Sequence, residues 1–323
     1  NVAGAPRIEV TAIPDNATLE TRLLTGASGF DVAIPAHSLL PRLIAAGALQ
    51  PLDRARLPNW KNLDPALLAR LAAFDPGNRY AVPYVWGTNA LAYDEAAVAR
   101  ALGREPEPTL GLLFDPAYLR PLARCGVAWL DGGGWIPTSL AAIALGQRLD
   151  ALVPDDLPAI ERALLAARPY VGTIDSSAGL GTLANGEVCV SMGASGDLLR
   201  ERDLAAAARP GARIRFVHAR EGATMWVDVL VIPAGAPDLA GAHRAIDLTM
   251  DPAVIARISN AARLANAVPA ATPLLDASLR DDAAIYPPEA TLRTFQLLAA
   301  ESDEFARART RLWTRVRTGA ATP

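Results

Sequence analysis

Lysine is almost missing from this chain. Of 31 basic residues only Lys61 is Lys and the rest are Arg, a bias that, with the abundance of Ala, reflects a GC-rich coding genome rather than a function. Charge of one sign is also lacking. The 31 basic residues face 34 acidic ones for a formal charge of −3, and no segment gathers Arg with aromatics into the face that nucleic acid requires. Long apolar runs are absent too, because Arg42, Arg70, Arg162 and Arg200 cut the most hydrophobic stretches within about one helix length. A membrane-spanning helix is not expected. Residues 1–7 have neither the basic start nor the apolar centre of a secretory signal.

Catalytic chemistry is equally sparse. Gly132, Gly133 and Gly134 are followed by no Lys-Ser/Thr and fit no GxGxxG spacing. The GASG segments at 26–29 and 193–196 lack the GxSxG spacing of a nucleophile elbow and read as turns. The three histidines, His37, His218 and His243, are isolated from each other and from any Cys or carboxylate cluster. His243, in an Ala- and Arg-rich helical run, reads as a surface residue. His37 beside Ser38 reads as a polar loop residue within reach of a ligand. No nucleophile, base or metal cluster emerges, so neither an enzyme nor a cofactor is expected.

Cysteine is limited to Cys125 and Cys189, each in a short β-rich run bounded by turn signals and neither in a CxxC or Cys/His pattern. Two readings stay open. They are buried thiols, or they form a disulfide between neighbouring strands in an oxidising compartment, worth about 3 to 4 kcal/mol on the loop-entropy model.

What is present is an ordinary globular composition, 51% hydrophobic and 20% charged, in a chain of 323 residues. That length suits two lobes of roughly 100 to 200 residues each. Short β-rich runs alternate with amphipathic ones: strand at 8–13, helix at 17–25, strand at 30–34, and helix at 39–46 ended by Gly47. Further strands are expected near 125–131, 187–192, 214–218 and 226–233, and helices near 139–146, 158–167, 197–206, 240–248 and 252–259. This is the pattern of α/β layers with mostly parallel sheets flanked by helices. The continuous strand-like passages 80–94 and 216–233 read as hinge strands carrying the chain between lobes, with a ligand cleft between the lobes that closes by hinge motion.

A collinear set of segments then becomes specific: SGFDVAIPAHSLL (28–40), LPNWKNLDPALL (57–68), YAVPYVWGTNALAYD (80–94), RCGVAWLD (124–131), LANGEVCVSMGASGD (183–197), EGATMWVDVLVIP (221–233), ANAVPAATPLL (265–275), IYPP (285–288) and RTRLWTRVRTG (309–319). Together they resemble the putrescine-binding proteins of bacterial polyamine ABC transporters. The resemblance implies a two-lobed periplasmic solute-binding protein, with 1–86 and 229–290 as the first lobe, 87–228 as the second and 291–323 as C-terminal helices packing on the lobes. It implies a cationic amine of the polyamine class as ligand and the permease subunits of an ABC transporter as partners. It further implies a Cys125–Cys189 disulfide and a periplasmic location after removal of a signal peptide.

Such a ligand sets its own requirements. A linear diamine carries an ammonium at each end of an apolar chain, so its site needs carboxylates at both ends and aromatic walls between. By resemblance Asp197 and Asp228 are the two ammonium-binding acids and Trp226 an aromatic wall. Without the resemblance, Asp197 would read as a helix N-cap and Trp226 as core. Asp228, amid Trp226, Val227, Val229 and Leu230, is a carboxylate on an apolar strand that needs a partner. Other positions depart from the family. Ala36 replaces a serine, with Ser38 keeping a hydroxyl nearby; Trp135 stands where the family has a glutamate; Ala194 replaces a tryptophan and Leu264 a tyrosine. The family's opening strand and Trp-x-Asp-Tyr loop would precede Asn1. A ligand with one cationic end and a less polar body also fits these exchanges. A binding fold turned to sensing or to another solute is the alternative function.

Overall fold

The computed structural model of the chain describes residues 8–26, 28–175 and 181–319. Two compact units emerge, the first formed by 1–86 and 226–286, the second by 87–225 and 287–323. Nine strands lie among the described residues: β1 Leu49–Gln50, β2 Ala81–Asp94, β3 Val127–Leu130, β4 Thr173–Asp175, β5 Val190–Ala194, β6 Ile214–Val217, β7 Thr224–Pro233, β8 Ala265–Asn266 and β9 Gln296–Leu297. The unit boundaries at 86/87 and 225/226 fall inside β2 and β7.

Pairing is mixed rather than mostly parallel. In the first unit β1 runs antiparallel to β7 and β8 antiparallel to the start of β2. In the second, β3 lies parallel to β4 and β5, and β9 parallel to the start of β7, while the end of β2 is antiparallel to β5 and β6. The 14-residue β2 serves as a ladder partner in both units, and β5, β6 and β8 all run antiparallel to it.

Two expected strands do not form. Residues 8–13 carry no strand; Ile8 is 56% and Val10 89% exposed, and a β pattern with no neighbour to pair its backbone stays irregular. Of 30–34 only Ala33 pairs, in a single bridge to Val231, and Pro35, without an N–H, follows at once. The passage 216–233 is also not continuous. β6 ends at Val217, and the chain folds back through an Ala219–Gly222 bridge before β7 begins.

The helices start where local chemistry dictates. Asp64-Pro65, Asp115-Pro116 and Asp251-Pro252 each place an Asp N-cap, accepting a backbone N–H two residues on, before a proline at the first helical position. In the second unit the C-terminal helix Asp303–Thr318 is capped by Ser302 and docks through Trp313, whose Nε1–H donates to Asp131 Oδ1 at 2.6 Å. The Trp313 ring stacks on buried Trp129, which also meets Phe114. Burial of each such side chain stabilises the unit by roughly 1.5–3 kcal/mol.

Candidate ligand site

In the first unit the site is organised by β7. Val227, Val229 and Val231 are wholly buried, whereas Trp226 and Asp228, two residues apart and so on one face of the strand, are half-buried. The segment after Ile34 is stitched to this strand. Asp228 and Ala36 form an antiparallel bridge, and Val229 N–H donates to Pro35 O at 3.0 Å. One step further the ladder is continued by a side chain: Val227 N–H donates to His37 Nδ1 at 3.2 Å. Asn16 Oδ1 holds the other side of the turn by accepting from Ala36 N–H at 3.0 Å.

His37 is therefore spent on structure. It is fully buried, edge-on to Phe74 at 4.6 Å between ring centroids, and its Nδ1 is an acceptor, which puts a proton of the neutral ring on Nε2. Ser38, next in the short 3₁₀ turn His37–Leu39, is half-buried, and its hydroxyl bonds to nothing among the described residues.

The Asp228 carboxylate has no hydrogen bond and no ion pair among the described residues. Burial pushes its pKa up to about 6 from an ordinary 3.8. Tyr84 on β2 is its electrostatic neighbour: burial first, and then the Asp228 charge, raise the Tyr84 hydroxyl above its usual range. A half-buried acid with no partner among the described residues, a tryptophan beside it on the strand and a tyrosine within its field are the kinds of group that a cation site requires. Tyr84 escaped the reading of the sequence, because nothing in the strand AVPYVWGTNALAYD, which also carries Thr88, Asn89 and Tyr93, sets it apart.

The second unit holds the other predicted residues. Asp197 is not an N-cap. The cap of helix Ser195–Ala208 is Ala194, with no side-chain bond, and Asp197 stands in the first turn, where the helix dipole favours a negative charge. It is half-buried and, like Asp228, has no hydrogen bond or ion pair among the described residues. The second GASG segment is thus a strand-to-helix junction; the first contains Ala27, outside the described residues, and its Gly26 adopts a φ of +72°. Trp135 opens helix Trp135–Ala144 and lines a cavity of the second unit together with Thr138 and Phe305. Cys125 and Cys189 are disulfide-bonded, with Cα atoms 5.4 Å apart, next to the parallel β3 and β5.

His243 is a correction. It is 2% exposed, its Nε2 accepts from Asp53 N–H at 3.0 Å, and its Nδ1 lies 2.8 Å from Leu239 O. It ties its helix to the segment around Asp53 rather than facing solvent. His218 sits between Phe216 and Phe295, with Nε2 3.2 Å from Thr88 Oγ1. Among the described residues no His, Cys, Asp and Glu cluster could hold a metal ion, and no helix is long and apolar enough to cross a membrane.

A family model described as bacterial extracellular solute-binding protein matches residues 4–287. The chain belongs to this family. It is 38% identical over 311 residues to the putrescine-binding periplasmic protein SpuD of Pseudomonas aeruginosa strain UCBPP-PA14, covering 94% of this chain and 83% of the relative. To a putrescine/agmatine-binding protein of P. aeruginosa PAO1 it is 39% identical over 317 residues, covering 97% and 85%. Among solved structures, the spermidine/putrescine ABC transporter substrate-binding protein PotD of Streptococcus pneumoniae superposes with a TM-score of 0.81 at 21% identity, over 95% of this chain and 89% of that one. The fold is that of the two-lobed periplasmic binding proteins.

Proposed function

We propose that this protein captures putrescine or a related linear amine in the periplasm and delivers it to the permease of an ABC transporter. The observation that carries the reading is Asp228, a half-buried carboxylate with no partner among the described residues, beside Trp226 and near Tyr84. An ammonium supplies the missing partner, and the aromatic faces suit the adjoining methylenes and charge. Asp197, also unpartnered among the described residues, is proposed as the second ammonium-binding acid, with Ser38 adding a hydroxyl. The names of the relatives support the amine class, and the disulfide suits an oxidising compartment.

The test is a thermal-shift titration of the full chain with putrescine, cadaverine, agmatine, spermidine, spermine and monoamines. A ligand at a hundredfold above its dissociation constant stabilises the native state by about 2.7 kcal/mol. A saturable rise with at least one diamine or agmatine is expected; no rise with any amine would remove the proposal.

A further inference from the structure

Three alternate N–H groups of β7 are bonded to one neighbour, the segment 33–37. Val231 N–H donates to Ala33 O and Val229 N–H to Pro35 O, both at 3.0 Å. The next acceptor in such an antiparallel ladder is the carbonyl of residue 37. That carbonyl is already taken. The chain turns here into the 3₁₀ helix His37–Leu39, in which Leu39 N–H donates to Ala36 O and Leu40 N–H to His37 O. Val227 is wholly buried, so its N–H needs an acceptor from the protein. The imidazole of His37 supplies it, Nδ1 accepting at 3.2 Å.

We infer that His37 is a positioning residue of the amine site: its ring acts as a surrogate carbonyl that carries the ladder past the turn and fixes β7 from Trp226 to Asp228. The inference rests on the amine reading of Asp228. Its physical basis is the planarity of the peptide unit. The N–H of Val229 lies in the plane that begins at the Asp228 Cα, and the N–H of Val227 in the plane that begins at the Trp226 Cα. The acid and the aromatic wall are thus each set by a bond to the same segment, and His37 makes the one that sets Trp226.

The ring is itself held. It is fully buried and edge-on to Phe74, and the residue before it is pinned by Asn16 Oδ1, which accepts from Ala36 N–H at 3.0 Å. A side chain without an acceptor at position 37, however well it fills the space, leaves the buried Val227 N–H unsatisfied and the plane at Trp226 without its tether. A smaller side chain that keeps an acceptor at the place of Nδ1 retains both. The two roles of a buried ring, packing and accepting, therefore separate by substitution.

The test is the dissociation constant of putrescine, by calorimetry at pH 8, for the native chain, His37→Asn and His37→Leu. Asn places Oδ1 as many bonds from the backbone as Nδ1 and keeps the acceptor while losing most of the ring; Leu fills the space and has none. His37→Asn should bind within about threefold of the native chain and His37→Leu about tenfold more weakly. A ring needed only for packing predicts the reverse order, because Leu suits a buried position better than Asn. His37→Leu binding as tightly as His37→Asn, or more tightly, overturns the inference and leaves the amine reading standing; no binding by the native chain removes both. The native chain, isotope-labelled at Val and His, should also show a scalar coupling across the hydrogen bond between the Val227 amide nitrogen and His37 Nδ1. That coupling decides the matter where a variant does not fold: its presence supports the surrogate carbonyl and its absence overturns it.

Discussion

Asp228 carries opposite consequences for stability and for binding. Its carboxyl has an ordinary pKa of 3.8 when unfolded and about 6 when folded. The folded state therefore holds its proton more tightly, and stability declines as pH rises from about 4 to 6, reaching a full penalty of about 3 kcal/mol above that window. Asp228→Asn removes the penalty. The variant should melt higher than the native chain at pH 7.5 in the absence of ligand, and the difference should vanish below about pH 4, where both are neutral. Equal melting temperatures at pH 7.5 would show that the acid already has a partner. This residue was legible in the sequence, because a lone Asp in TMWVDVLVIP is anomalous whatever the fold. His243 was not. Its burial depends on Asp53, 190 positions away, and nothing in an Ala- and Arg-rich helix signals that contact. His37 was misjudged for a similar reason, since its partner is the backbone of Val227.

At the scale of elements, the helices were easier to read than the strands. An Asp cap followed by Pro is a local instruction, and the helix expected at 252–259 obeys it, as do two that were not expected, at 65 and 116. A strand needs a partner elsewhere, so the patterns at 8–13 and 30–34 promised ladders that do not form. The turn before Trp135 shows what a single position can enforce. Gly134 has a φ of +80°, and a Cβ there would lie 2.3 Å from the Trp313 ring. Gly134→Ala must displace Trp313 from Trp129 and Asp131, and should cost about 3 kcal/mol, read as a lower urea midpoint; an unchanged midpoint would mean that the C-terminal helix does not depend on this contact. The Cys125–Cys189 crosslink closes a separation of 64 residues. Its removal by Cys125→Ser with Cys189→Ser should lower stability by about 3 to 4 kcal/mol. Denaturation of the native chain with reductant should match the double variant, and no difference between oxidised and reduced protein would contradict this.

For the whole molecule, family membership was the most legible property, because it is spread over many collinear segments and no single substitution erases it. The ligand was the least legible. Ala36, Trp135, Ala194 and Leu264 are spread over both units, and the identity of a solute depends on how many weak contacts add together, each worth a fraction of the total. The acids are a firmer guide, since a buried carboxylate without a partner is expensive enough to demand a purpose. If Asp228 binds the ammonium, only its ionised form can do so. Below its folded pKa, each amine bound must displace a proton, and affinity should fall about tenfold per pH unit. The most direct measurement is the dissociation constant of putrescine for the full chain, by calorimetry, from pH 5 to pH 8. The account predicts saturable one-to-one binding that is level above about pH 6 and weakens steadily below it; affinity independent of pH across that range, or no binding at pH 8, would contradict it.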